Sequence, residues 1–421
     1  MFNLLFLFIS LFLFSGCIGD LKSVKPNEKV FDNEDKYIMF ALRAEELKEY
    51  KTSAKLFNTL YEKSNKKEYL YRSLQSDLVL KEDEKIISKV DNILDGDFDD
   101  YKLVRFKIVA LIQLKKLELA KLEALKLISL SNQVDDYLLL SEIYVKQNKF
   151  DTAIKYLESA YAKEYNEKIL DKLSVILYLN LDRKKDAIAH LETHIMVHGC
   201  SDIICNRLIG FYSNENDIDG LLSIYLKVYK INKSDKIARK IIQIYNYKKE
   251  PIKLMNFLEE SKSDDEVLLQ IYISLNNYKK AFPLAKILYK KSGKISYLGQ
   301  SAVFKYESFL NKNDENMLLG VIATLENVVK QSDEPLYLNY LGYLLIEHDL
   351  DIEKGINYVD EALVKNPTSV YYLDSKAWGY YKLGKCKKAY KIMKDILKKY
   401  DVDEPEVLFH TKKIKECIKL N

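Results

Sequence analysis

The sequence predicts an all-α chain, a solenoid of stacked helix-turn-helix pairs, and three observations carry that expectation. Gly and Pro together make up only 19 of 421 residues, far below the roughly 12% of average usage. A sandwich or barrel needs turn residues every ~8–12 positions, and this chain lacks them. Small or apolar anchors recur with a fixed period: Ala120, Ala153, Ala187 and Leu221 stand 33, 34 and 34 residues apart, and Gly355 and Ala389 are again 34 apart. Apolar side chains follow these anchors by four and seven residues, as Leu157 and Ala160 follow Ala153 and as Val359 and Ala362 follow Gly355. Those offsets belong to one face of a helix.

A helix of about 14 residues cannot bury its apolar stripe alone, so a periodic array of pairs lets each pair cover its neighbour. Tyr144, Tyr178, Tyr212 and Tyr380 stand nine residues before an anchor, and Tyr272 stands nine before Ala281. Polar stretches such as Lys146-Gln147-Asn148-Lys149 join the two helices of a pair. This unit resembles the tetratricopeptide repeat, most clearly where Asn339-Tyr340-Leu341-Gly342-Tyr343 precedes Gly355 and where Asp374-Ser375-Lys376-Ala377-Trp378 precedes Leu383-Gly384 and Ala389. The resemblance implies a right-handed superhelix over residues 36–421, with about eleven helix pairs and a Lys-rich capping helix from Pro405 to Leu420. Units around residues 222–280 and 290–334 drift to lengths nearer 30 and 37. Pro251, Pro335 and Pro405 suit helix starts, where the missing N–H costs nothing.

The same resemblance implies protein partners, extended segments or helices held against the first helices of the pairs. Carried over position by position, the groove residues are Tyr343, Ile346, Tyr371, Asp374, Trp378 and Tyr381. Trp378 is the only Trp in the chain, and it fits a packing position of the repeat equally well.

Leu4–Phe14 is an apolar run broken only by Ser10. It is too short to span a bilayer, which takes roughly 20 residues, and fits the apolar core of a secretory signal over residues 1–16. Leu13-Phe14-Ser15-Gly16-Cys17 resembles the cleavage box of bacterial lipoproteins. That resemblance implies a lipid on Cys17, a tether over 17–35, and an envelope location facing the periplasm. Ile18 after Cys17 points to the outer membrane. An ordinary signal peptide or an uncleaved anchor is the alternative.

Four cysteines remain: Cys200, Cys205, Cys386 and Cys417. In an exported chain an even number invites pairing. Ser201 reads as a helix cap, which makes Cys200 and Cys205 the two positions that touch in a hydrophobic staple. Cys386 begins one helix and Cys417 lies near the end of the next, so they too are neighbours. Four free core thiols are the alternative. His190, His194 and His198 step along one helix, but each step of four drifts by about 40°, so three rings do not readily meet one metal ion. Partly buried and surface histidines are the simpler reading.

Lys and Arg number 66 against 62 Asp and Glu, a formal net charge of +4, which removes the electrostatic argument for nucleic acid. Gly379 to Cys386 nearly spells a phosphate-binding loop, but Cys386 replaces the required hydroxyl and no strand precedes it. No other catalytic signature occurs, and nothing points to a cofactor. The expected function is a membrane-tethered interaction scaffold in envelope assembly, serving outer membrane, cell wall, pilus or flagellar machinery. The alternative is an envelope metal-binding protein or enzyme using the His190–Cys205 segment.

Overall fold

Residues 29–420, apart from Asp97 and Val402, are described by a computed structural model. Cys17 and the apolar run before it lie outside the described residues. Among those residues the chain forms 23 α-helices and no strand, and it divides into two compact units, one ending at Ile224 and one beginning at Tyr225.

Unit 1 is a run of helix pairs: α1 (Glu34–Glu46) with α2 (Tyr50–Ser64), α3 (Lys67–Val79) with α4 (Asp83–Leu94), α5 (Tyr101–Gln113) with α6 (Leu117–Ser131), α7 (Val134–Lys146) with α8 (Phe150–Glu164), α9 (Glu167–Leu179) with α10 (Lys184–His198), and α11 (Asp202–Asn214) with the first half of α12 (Ile218–Asn232). Each first helix has 13 residues. Four of the six pairs bury an alanine early in the second helix: Ala54 in α2, Ala120 in α6, Ala153 in α8 and Ala187 in α10, while α4 carries the larger Ile86 there. Leu221 departs from that pattern, being only half-buried. The close approach falls one residue earlier: a Cβ on Gly220 would lie 2.4 Å from the Tyr212 ring, so the tyrosine seats against glycine.

The core is assembled from consecutive helices. Leu74 of α3, Val90 of α4 and Leu103 of α5 share one cluster, and Ile108 of α5, Leu127 of α6 and Leu140 of α7 share another. These clusters run from one pair into the next, as expected of stacked repeats. The scarcity of Gly is met by other residues in the left-handed region. Lys48, Lys81, Lys115, Asn148, Asp182 and Asn216 close the turns within the six pairs, with φ between 53° and 61°. Asn and Asp adopt that conformation more readily than the β-branched residues that would resist it.

Tyrosine hydroxyls fasten one pair to the next. Tyr71 donates to Asp100 Oδ2 at 2.7 Å and Tyr178 donates to Glu215 Oε1 at 2.5 Å. At the start of the array Glu34 is buried and accepts from Lys66 Nζ at 2.7 Å, Tyr69 Oη at 2.8 Å and Val30 N at 2.8 Å. Burial alone would raise its pKa, but these three donors outweigh it and hold the carboxyl at about 2.

Unit 2 contains α13 (Asp235–Tyr247), α14 (Pro251–Ser261), α15 (Asp265–Ser274), α16 (Tyr278–Ser292), α17 (Ile295–Ser308), α18 (Glu315–Gln331), α19 (Pro335–Glu347), α20 (Ile352–Lys365), α21 (Val370–Lys382), α22 (Cys386–Lys399) and α23 (Pro405–Leu420). Its first helices begin at residues 235, 265, 295, 335, 370 and 405. The two short steps follow from the 11 residues of α14 and the 10 of α15, and the long one from the 17 of α18. Pro251 and Pro335 occupy helix starts, while Pro283 sits within α16. The backbones of α19 and α20 approach closely where they cross: a Cβ on Gly342 would lie 2.6 Å from the Gly355 carbonyl oxygen, and one on Gly355 would lie 2.7 Å from that of Gly342. Backbone oxygens cannot swing aside, so both positions exclude side chains.

Two outcomes are expected. Gly342→Ala or Gly355→Ala destabilises unit 2 by about 1–3 kcal/mol, read from denaturant unfolding followed by Trp378 fluorescence. The folded-state pKa of Glu34 lies below its ordinary value of 4.5, so its contribution is present above that value and is lost as pH falls from about 4.5 toward 2. Acid titration with hydrogen exchange on α1 detects this as loosening in that window, worth up to about 3 kcal/mol, and Glu34→Gln abolishes the dependence.

Candidate functional site: the first-helix face of unit 1

The first helices of unit 1 present one regular row each. Glu68, Arg72, Gln75 and Val79 do so on α3; Lys102, Phe106, Val109 and Gln113 on α5; Asp135, Leu139, Glu142 and Lys146 on α7; and Lys168, Lys172, Val175 and Leu179 on α9. In every row the spacing is i, i+4, i+7, i+11, which keeps all four side chains on one side of the helix. Asp202, Asn206, Gly210 and Asn214 continue the face on α11.

These rows line three open clefts that follow one another along the array. One of about 650 Å³ lies between α3 and α5, against Tyr71 and Phe106. One of about 670 Å³ is bounded by α5, α7 and α9, with Val109, Ile112, Leu138, Leu139 and Ile169 in its wall. One of about 540 Å³ lies between α9 and α11, against Val175, Leu179 and Phe211. The apolar walls are crossed by ion pairs that tie one first helix to the next. Arg105 Nε donates to buried Asp136 Oδ1 at 2.8 Å, Lys172 Nζ reaches Glu142 Oε2 at 3.1 Å, and Arg207 clasps Asp171 with two bonds of 2.6 and 3.0 Å. Such pairs fix the rotamers of the wall and leave half-buried apolar surface between them, the composition of a protein-binding surface.

The six groove positions carried over from the repeat pattern lie elsewhere, in unit 2, and they do not form an open groove. Ile346 is fully buried, and Asp374 and Trp378 are buried at 5% exposure each. The Trp378 indole donates to Glu347 Oε2 at 2.6 Å and is sandwiched between Tyr381 and His410, with ring centroids 4.6 and 4.0 Å away. Asp374 Oδ2 meets His410 Nδ1 at 2.9 Å. Exposed Tyr371 donates to Glu404 at 2.8 Å, and half-buried Tyr343 bonds to Glu406, its phenol pKa driven up by burial and then by that bond. The cause is α23. It lies beside α21 where a further first helix would lie, and its His410 and Glu406 fill the positions left to a partner. Trp378 is therefore a packing residue.

His190, His194 and His198 are engaged separately. His194 is buried, with Nδ1 2.6 Å from Tyr161 Oη and Nε2 3.4 Å from Glu167 Oε1, so both ring nitrogens are engaged. His198 packs on the rings of Tyr165 and His194, and His190 Nε2 stands 4.0 Å from Glu158. Among the described residues no group of three metal-ligating side chains converges. Cys200 is bonded to Cys205, with Cα atoms 5.7 Å apart, and Cys386 to Cys417, at 5.9 Å. Ser201 Oγ accepts from Ile204 N at 3.3 Å and caps α11. Gly379 lies within α21, so the phosphate-loop lookalike is helix and turn. No described helix is long and apolar enough to cross a membrane.

No family model and no curated protein matches the chain. Among solved structures that resemble it is the Cut9–Hcn1 hetero-tetramer of the APC/C, at 11% identity over 92% of this chain and 84% of that one, with a TM-score of 0.33. The TPR domain of P58(IPK) matches at 12% identity over 92% of this chain and 99% of that one, TM-score 0.28. YrrB, described as a TPR protein with an unusual peptide-binding site, matches at 15% identity over 44% of this chain and 97% of its own, TM-score 0.33. The class that the helices define is an all-α array of stacked helix pairs.

Closing the loop of 31 residues between Cys386 and Cys417 contributes roughly 3–4 kcal/mol in the chain-entropy picture. Cys417→Ser is expected to lower the stability of unit 2 by about that amount, and mass spectrometry without reductant is expected to find no free thiol at the four positions.

Proposed function

We propose that the chain is a non-catalytic interaction scaffold that holds a segment of a partner protein on the first-helix face of unit 1, and that a lipid on Cys17 tethers it to a bacterial envelope membrane. One observation carries the binding reading: three consecutive clefts with apolar walls stay open on that face, while the matching positions at the end of unit 2 are filled by the chain's own α23. Apolar surface rimmed by charge, held rigid by ion pairs between neighbouring helices, suits a segment that needs little rearrangement of its host. The tether reading rests on the Leu13–Cys17 sequence, and the polar stretch after it would let the helices reach a partner near the bilayer. Outer-membrane, wall, pilus and flagellar assemblies are the settings this combination suits.

The test has two arms. A photo-crosslinking side chain in place of Val109 is expected to capture a partner in intact envelopes, with the product lost in Phe106→Ala/Leu139→Ala; equal capture from exposed Met196 contradicts the site. Cys17→Ser is expected to abolish fatty-acid labelling and release the chain from the membrane fraction.

A further inference from the structure

The clefts of unit 1 share a feature that their walls do not explain. From α3 to α11 each first helix carries one exposed charge at the same register position of its first turn: Glu68, Lys102, Asp135, Lys168 and Asp202. Their signs alternate from helix to helix. The other first-turn charges of these helices, Lys67, Asp136 and Glu167, are taken up by Asp100, Arg105 and His194. All five are exposed and all five line the clefts. None has a hydrogen bond or ion pair from its side chain among the described residues, Lys102 meeting only the Tyr71 ring at 4.3 Å. One turn further in, the charges behave differently, since Arg72 is bonded to Glu45 and Lys172 to Glu142.

Acidic residues at helix starts have an ordinary explanation in the helix dipole, and that covers Glu68, Asp135 and Asp202. It does not cover Lys102 and Lys168, which sit at the positive ends of their helices, where an ammonium is disfavoured. Among the described residues neither ammonium is paired with a carboxylate. Adjacent packed helices lie about 8–10 Å apart, and an extended or polyproline-like segment advances about 9–10 Å in three residues. One ladder rung therefore matches three residues of such a segment.

We propose that the partner of the unit 1 face is an extended segment whose charge alternates in sign at every third residue, positive opposite Glu68, Asp135 and Asp202 and negative opposite Lys102 and Lys168. The residues between those charges are apolar and rest on Phe106, Val109, Leu139 and Val175. This rests on the reading of that face as a binding surface and adds the chemistry of what it takes. The five-rung pattern has the same signs read from either end, so the ladder accepts the segment in both directions and the apolar wall sets its polarity.

The probe is a labelled synthetic peptide, two copies of Lys-Val-Pro-Glu-Val-Pro followed by Lys, compared with the peptide in which every Lys and Glu is exchanged. The full chain is expected to bind the first at least about tenfold more tightly near physiological salt, with the ratio growing at low salt. The chain's formal charge of +4 favours the exchanged, more acidic peptide, so unspecific attraction works against this result. In Lys102→Glu/Lys168→Glu, acids replace bases at helix starts, which the helices tolerate, and thermal melting is expected to be unchanged. That variant is expected to prefer a peptide with Lys at every third position over the alternating one. Equal binding of the alternating and exchanged peptides overturns the ladder, while loss of both in Phe106→Ala/Leu139→Ala would leave the groove standing. Binding of neither peptide overturns the ladder also, and the Val109 crosslink then judges the groove separately. An unswitched preference in the double variant overturns the assignment of the rungs.

Discussion

Each helix here hides its apolar stripe only because helices before and after it lie against it. Leu74, Val90 and Leu103 come from three successive helices yet share one cluster, so removing one helix would expose the flanks of two others. From this dependence follow the 33–35-residue step of unit 1, the small residue early in most of its second helices, and the tyrosine of α7, α9 and α11 that fills the remaining gap. It also leaves the outward rows of α3 to α11 only partly covered, with Phe106 and Leu139 half-buried against the core. A partly covered surface, repeated at a fixed interval, is where a repeat array acquires function.

The two units use that surface differently. In unit 1 the rows on α3 to α11 stay open, and their charges are paired with other side chains except for the five that stand alone at the first turn. In unit 2 the end of the array is closed by α23, whose His410 stacks on Trp378 and bonds Asp374. The Cys386–Cys417 bond holds that closure covalently. A terminal repeat must bury the flank that no further pair will cover, and a lone helix with Val407 and Ile414 inward and a Lys-rich exterior meets that need.

Much of the architecture was legible because it obeys local periodicity. Anchors such as Ala153 and Ala187, the helix starts at Pro251, Pro335 and Pro405, and the all-helical class are set by spacing, which a sequence displays directly. Leu221 misled because glycine at the preceding position moved the close approach by one residue. The functional face was harder to read. The strongest repeat signature lies at the C-terminal end, but that signature marks good packing, and good packing there includes coverage by α23. Periodicity identifies which side of α21 faces the next first helix without telling whether that neighbour is a partner or the chain itself. The unit 1 rows were visible as i, i+4, i+7, i+11 patterns from Glu68 onward, but their mixed charge resembled an ordinary solvated helix face. Only the missing partners of Lys102 and Lys168 set them apart.

The central claim is that a partner rests on the first helices of unit 1 rather than on their outer companions. Hydroxyl-radical footprinting of the full chain with and without its captured partner tests it most directly. Protection of Phe106, Leu138 and Leu139, with oxidation of exposed Met196 on α10 unchanged, is the result this account requires. Protection of Met196 with the α5–α9 side chains as reactive as before would contradict it.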